Sequence, residues 1–431
     1  MQGLGVGIPA IRRIARPRRE GRPARAANFP VMDRRPPRRP PAPPSRQRRT
    51  STRTVQNRIL AVLCAGAVAG LAAVIASGRG GAPEVSTANA EAPSASMQVV
   101  TTTAPATTAP APGGRDVTLA AVGDTVMGTP EFGLPPAGGS TLFRAVKPLL
   151  KGDIVLGNLE QALATGPSAK CGSGSGGSCY AFASPPSYAR NLKAAGFTVM
   201  SIANNHAYDW GAAGMRSTVR ALNAVGIRHT GPPGVVAVQP LPGGGKAAFV
   251  GLAPYSWSQN ALDIPGAVRL VRRAARMAPI VVVTAHVGAE GSRYRNVPRG
   301  AETYLGEPRG ETRRLARAVV DAGADLFVGH GPHVMRGMEF RNGRLIAYSL
   351  GNFLGYKVFS TSGHAGQSGV LQVTLAPDGA FRSGRLAPVR LSSSGIPSRG
   401  GTSVRDVVGL SRRDFGASAA RLSRSGAITP P

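Results

Sequence analysis

Residues 325–333 read D-L-F-V-G-H-G-P-H. A chain of 431 residues with six histidines places two of them, His330 and His333, three apart and directly after an apolar run. Either these are solvated loop histidines or they are ligands at the carboxyl end of a buried strand, and the surrounding chain bears on the choice. Apolar runs at 117–122, 154–156, 197–202, 247–252, 280–284 and 326–328 read as strands. Helix-length amphipathic segments at 142–150, 188–195, 212–225, 268–277 and 311–322 separate them. Strands alternating with helices predict βαβ units around a largely parallel core. After His333 the pattern changes. Segments 338–340 and 345–350 flank Asn342-Gly343, which predicts a hairpin with a type I′ turn. Segments 370–375 and 381–391 turn at Asp378-Gly379. The expected class is α/β: a layered sandwich with antiparallel hairpins on its C-terminal side.

Moving toward the N-terminus, composition divides the chain. The formal charge of +31 suggests a nucleic-acid partner, but its distribution argues against one. Residues 1–58 hold 16 arginines against Glu20 and Asp33, with abundant Pro and few large apolar residues, which predicts a disordered basic tail. No aromatic residues are interleaved as base-stacking platforms, so no nucleic acid is expected. Residues 59–78 run twenty positions without a charge between Arg58 and Arg79. As a helix this segment spans roughly 30 Å, the thickness of a bilayer core. Arginines before it place the N-terminus in the cytoplasm and the rest of the chain outside. A cleaved signal peptide is the competing reading, but the run is long for one and the small-residue site Ala88-Asn89-Ala90 lies well beyond its end. The expectation is therefore one transmembrane signal anchor and a cell-membrane location. Residues 79–115 form an Ala/Pro/Thr-rich spacer, 116–391 the folded domain, and 392–431 a tail with one helix around 404–422. Cys171 and Cys179 bracket a Gly/Ser loop, and in an oxidising compartment a disulfide closing it is the expectation.

In an open α/β sheet, functional groups gather past the carboxyl ends of the strands. Asp124 follows the first predicted strand and Glu160 the second. Asn204, Asn205 and His206 follow the third, His286 and Glu290 the 280–284 run, and His330 and His333 the 326–328 run. Ser349-Leu350-Gly351-Asn352-Phe353 ends the second strand of the hairpin. Any one of these is weak: a lone His after a strand is most often a hydrogen-bonded loop residue. Their shared placement is what points to a site. Mixed N/O donors suit Zn, Mn or Fe rather than a thiolate-seeking ion. Two such ions could bridge a water and clamp the attacking and leaving oxygens, while an uncoordinated His protonates a leaving group.

G-D, G-N-L-E, A-N-N-H-A-x-D-x-G-x-x-G, H-x-G-x-E, D-A-G-A-D-L-F-V-G-H-x-P-H and Y-S-L-G-N-F occur in this order. As a set, over about 116–375, they resemble the CapA-type poly-γ-glutamate capsule biosynthesis proteins, a family with a calcineurin-like metallophosphatase fold. The resemblance implies one or two divalent ions on Asp124, Glu160, Asn205, His286, His330 and His333. It implies His206 as the acid meeting the leaving group, and Asn204, Glu290 and Asn352 as supporting or substrate-facing. Asp209 is expected to cap the helix after the N-N-H motif. Three departures stand out. Val287 replaces a usual Trp, Gly331 replaces a usual His, and the first strand lacks the D-x-H of ordinary metallophosphatases.

Three functional readings follow. The first is a membrane-anchored extracytoplasmic protein of poly-γ-glutamate synthesis or export, with a metal-dependent hydrolase-type site and capsule-assembly membrane proteins as partners. The second is an extracytoplasmic phosphoesterase. The third is a polymer-binding scaffold with a degenerate site.

Overall fold

The computed structural model describes residues 114–171 and 179–431. The 59–78 segment expected to cross the membrane lies outside them, with the basic tail and most of the spacer. Among the described residues no helix is long and apolar enough to span a bilayer.

Two sheets carry the fold. In the larger one, Val117–Val126, Ile154–Leu159, Val199–Ser201 and Arg228–Thr230 run parallel in that order. Gln367–Leu375 then joins the other side of Val117–Val126 antiparallel, followed by Phe381–Leu391. The smaller sheet has six strands. Lys246–Leu252, Ile280–His286, Leu326–His330 and Arg344–Ala347 are parallel neighbours, and Val236–Pro240 and Met338–Arg341 close its edges antiparallel.

Period-two alternation explains the layering. Leu119, Ala121, Ile154 and Leu156 of the larger sheet share one buried cluster with Phe249, Val282, Leu326 and Val328 of the smaller. Ala120, Val122 and Val155 point the opposite way, into a second cluster with Leu192 of the helix Ala189–Ala195 and Leu222 of Gly211–Ala224. Val250, Val281, Val283 and Phe327 face a third cluster, under the helices Ile264–Ala275 and Thr312–Asp321. Both faces of each sheet are thus covered, which is why these strands read as unbroken apolar runs. Deleting one such side chain, as in Leu156→Ala, costs about 2–5 kcal/mol.

Helix Ile264–Ala275 shows how a local sequence fixes an element. Asp263 accepts the Gly266 N–H at 2.9 Å and Pro265 stands in the first turn, where its missing N–H is harmless. Ala267, Leu270, Val271 and Ala274 are buried at helical spacing, while Arg269, Arg272 and Arg273 face outward. Segment 142–150, expected as a helix, instead makes successive turns ending in a short 3-10 piece, Lys147–Leu149. Pro148 removes the N–H a continuing helix needs.

The hairpin of Met338–Arg341 and Arg344–Ala347 forms as expected, with φ 50° at Asn342 and 74° at Gly343, the positive pair a type I′ turn requires. The 392–431 segment, expected as a tail with one helix, is built into the fold. It supplies the helix Ser403–Phe415, and its strands Ala427–Thr429 and Arg421–Leu422 extend the larger sheet beyond Phe381–Leu391. Those strands are two and three residues long, too short to show alternation. Cys171 and Cys179 are disulfide-bonded, their Cα atoms 5.8 Å apart.

Candidate metal centre

The two sheets bring their carboxyl ends together, and pairing register sets the site. Asp124 lies level with Asn158 on one side and Asn352 on the other. His330 lies level with His286. The Asn352–Gly355 strand can close on Asp124 only because residue 123 is glycine: a Cβ there would sit 1.9 Å from Gly351 O. The Asp124 N–H then donates to Gly351 O at 2.9 Å.

Asp124, Glu160 and His333 offer ligand atoms that all lie within 4.8 Å of one another. His333 Nδ1 is 3.3 Å from Asp124 Oδ2, and its Nε2 is 3.4 Å from Glu160 Oε1. His286 Nε2 is 3.7 Å from the same Glu160 oxygen, and His330 Nδ1 is 3.7 Å from Asp124 Oδ1. The two His333 separations are at the long end of hydrogen-bond length and the other two exceed it; donors around a shared cation have such spacing. Both oxygens of Glu160, Nε2 of His286, both ring nitrogens of His330 and Oδ1 of Asn205 are buried without a hydrogen-bond partner. Buried polar atoms are normally satisfied, at a cost of about 1–3 kcal/mol each when they are not. Orphaned donors on Glu160, His286 and His330 gather round the Asp124–Glu160–His333 group, an arrangement that could hold a cation, and the mixed O/N chemistry fits a divalent transition ion.

The electrostatics agree. Burial pushes Glu160 well above the usual carboxylate range, and the charges of Asp124 and Glu290 push the same way. Burial pushes His286 well down and His330 down to about 4, which favours the neutral ring that binding a metal requires. Burial opposes a charge on His333, but Glu160 and the bond to Asp124 outweigh it and raise His333 to about 10. Burial would raise Asp124 as well; the His333 bond and the surrounding imidazoles hold it below the ordinary range.

Of the groups that tie the cluster together, Asn204 and Asn352 are singled out by the sequence, while Asn158, Arg336 and Glu302 are not. Asn158 Nδ2 donates to Asp124 Oδ1 at 2.8 Å and lies 3.2 Å from His286 Nδ1. Asn204 donates to Asn158 Oδ1 and to Leu159 O, and accepts the His206 N–H, tying the N-N-H loop to the G-N-L-E loop. Asn352 Oδ1 is 2.8 Å from His333 Nδ1. His333 is held at φ 57°, a left-handed conformation costly for a non-glycine residue and common at functional sites. Gly331 has φ 103°, and a Cβ there would lie 3.1 Å from His286 Cδ2; its N–H donates to Asp124 Oδ2 at 3.3 Å. Val287 faces the apolar core rather than the site. Under the cluster, Arg336 forks onto both oxygens of Glu302, which also accepts from Ala289 N and Thr312 Oγ1, joining the loop after His286 to the one after His333.

His206 stands beside the cluster, buried and stacked on Phe182 at 4.1 Å. Burial lowers its pKa, opposed by the Asp209 carboxylate 2.6 Å from Nδ1. Asp209 does not cap the following helix. Gly211–Ala224 begins after Trp210 with no side-chain cap, and Asp209 instead accepts the Phe182 N–H at 2.8 Å and pairs with Lys170 at 3.1 Å. Its three-residue spacing folds back onto His206 through a tight turn, a geometry that resembles a cap in sequence. Glu290 reaches the cluster at 3.8 Å from His333 and is held by Arg309 at 2.8 Å.

The family model of bacterial capsule synthesis protein PGA_cap matches residues 118–357, more than half of the chain. The PGA biosynthesis protein CapA of Bacillus subtilis (strain 168) is 31% identical over 252 residues, covering 54% of this chain and 62% of the relative. The capsule biosynthesis protein CapA of Bacillus anthracis is 32% identical over 259 residues, covering 55% and 59%. The chain thus spans about three fifths of the length of these relatives. Among solved structures, a putative 5'-nucleotidase from Staphylococcus aureus superposes with a TM-score of 0.37 at 13% identity, over 68% of this chain and 58% of that one, a likeness that bears no weight. With the motifs on strand ends and the matched span enclosing every donor named above, the chain belongs to the bacterial capsule synthesis protein family PGA_cap.

Proposed function

We propose that the chain is a membrane-anchored, extracytoplasmic protein of capsule synthesis or export, acting on poly-γ-glutamate or a related anionic polymer through a metal-dependent hydrolase site of calcineurin-like type. The observation that carries the reading is the set of buried, partnerless donor atoms on Glu160, His286 and His330 beside the Asp124–His333 pair. Asp124, Glu160, Asn205, His286, His330 and His333 would hold one or two divalent ions. Such an ion, when bound, polarises a substrate oxygen and makes water a better nucleophile. The protein's own part is orientation and proton supply. Asp209, already engaged by Phe182 N and Lys170, accepts from His206 Nδ1 and fixes that ring, and its charge favours the imidazolium whose Nε2–H would pass to a leaving group. Asn352 sets the rotation of His333 in the same way.

Counting bound metal by plasma mass spectrometry in the purified chain, beside His206→Ala and His330→Ala, tests this. One to two equivalents are expected in the parent and in His206→Ala, and fewer in His330→Ala. Turnover of an aryl phosphate or of poly-γ-glutamate should vanish in both variants. No metal in any of the three after reconstitution with manganese or zinc would sink the hydrolase reading and leave a polymer-binding scaffold.

A further inference from the structure

Arg309 is a buried cation the mechanism above does not use. It lies on the short strand Glu307–Gly310 and is 1% exposed. Its Nε donates to Gly288 O at 3.1 Å, and Nη1 donates to the Tyr255 hydroxyl at 3.1 Å and pairs with Glu290 Oε1 at 2.8 Å. Nη2 is buried with no partner. The second oxygen of Glu290 is 3.8 Å from His333 Nε2, so a single side chain separates this guanidinium from the metal cluster.

Tyr255 also ends a rack of aromatic rings. Its ring stacks on Trp257 at 4.9 Å and 9°, and Trp257 stacks on Tyr208 at 5.2 Å and 12°. Trp257 Nε1 donates to Asn204 O at 2.9 Å, which fixes the rack to the loop carrying His206. Tyr208 is 37% exposed, so the rack runs from solvent inward to Arg309. A guanidinium with a spare buried donor is a carboxylate or phosphate receptor, and flat rings receive flat amide or aromatic groups. Glu290, with its side chain 19% exposed, is the solvent-facing member of the pair and the internal anion a ligand would displace.

Resting on the reading that the cluster is a hydrolase site, we propose that Arg309 and the Tyr208–Trp257–Tyr255 rack form the subsite for the anionic part of the substrate. Its ligand is an oxyanion carried on a group with a flat face, and Glu290 holds Arg309 until that anion displaces it. Glu290 therefore competes with substrate rather than recruiting it.

Calorimetric titration of the full chain with tetra-γ-glutamate and, separately, with phenyl phosphate tests the subsite without requiring turnover. Metal is counted and the melting temperature taken on the same samples. Arg309→Gln should weaken binding about tenfold or more, the loss of a charge-assisted contact. Tyr208→Ala should weaken it less. Glu290→Gln should tighten it several-fold, because the competing charge is gone. Whichever probe binds more tightly in Glu290→Gln identifies the source of the oxyanion. Parent-like binding in a folded Arg309→Gln, or weaker binding in Glu290→Gln, overturns the subsite. If Arg309→Gln does not fold, the sign of the Glu290→Gln change alone decides. Metal without an Arg309-dependent anion response would reject the subsite and leave the metal reading standing. An Arg309-dependent response without metal would do the reverse.

Discussion

At the scale of single residues, the site depends on a few amides holding charged groups in place. Asn158 is the busiest of them. It donates to Asp124, stands against His286 and accepts from Asn204, so one side chain touches groups from three strand ends. Partners of this kind set the orientation and basicity of ligands, and losing one typically costs about 10–100-fold in metal affinity. Asn158→Ala should therefore lower metal affinity by about that factor, measured by competition with a chromogenic chelator, while circular dichroism stays native. Unchanged affinity would mean the ligands are held by packing alone. Asn158 was within sight in the sequence, inside G-N-L-E, but an asparagine in a strand carries no periodic signal of its role. The buried polar residues Asp124, Glu160, His286 and His330 were legible because each stands at or just past the end of an apolar strand run. Arg309 was not, since its partners Gly288, Tyr255 and Glu290 lie 19 to 54 positions away in the chain.

At the scale of elements, the parallel strands of both sheets were legible wherever burial on two faces made an apolar run. Helices were legible wherever apolar residues recurred at helical spacing, as in Ile264–Ala275. What escaped were elements whose stability is tertiary. Arg228–Thr230, partly exposed, exists because Val199–Ser201 offers it a free edge. Asp325 shows an element boundary under tension. It accepts the Val281 N–H at 2.8 Å and pairs with Arg344 at 3.2 Å, tying Leu326–His330 to its neighbours on both sides. Burial nevertheless pushes its carboxyl up to about 6, with the Val281 bond and Arg344 only partly opposing. The folded pKa exceeds the unfolded value of about 3.9, so the folded state binds the proton more tightly. That contribution is fully present below about pH 4, fades as the pH rises through about 6, and is then constant, with a ceiling of about 3 kcal/mol. Asp325→Asn lacks this loss. Its stability relative to the parent should rise by about 1–3 kcal/mol between pH 4.5 and 7.5, read from urea unfolding at both values. An equal difference at the two pH values would show that Asp325 is ionised throughout.

At the scale of the whole molecule, composition predicts where the folded domain ends, and the physics of a sheet edge extends it. A boundary at Leu391 follows from the Ser/Gly/Arg-rich texture beyond it, which resembles a solvated tail. Yet Val407, Ala420 and Ile428 lie in the cluster between the two sheets, with Met338, Leu371 and Leu386. Phe415 stacks on Tyr348 at 4.9 Å in the cluster on the far side of the smaller sheet. Ser411 Oγ accepts the Met338 N–H, and Ala427 and Ile428 pair with Arg385 and Gly384. The last forty residues therefore close both sheets at one end, far in sequence from the donors but continuous with their scaffold. Ending the chain at Leu391 would strip cover from Met338, Leu386 and Tyr348 and leave Phe381–Leu391 as an open edge, an aggregation hazard. Losing the buried Val407, Phe415 and Ile428 at about 1.5–3 kcal/mol each takes most of what a marginally stable domain can spare. The truncated chain is expected in the insoluble fraction, or soluble without a cooperative thermal transition and without bound metal. A soluble, cooperatively melting truncation that retains metal would show that 392–431 is an ornament on an already complete sandwich.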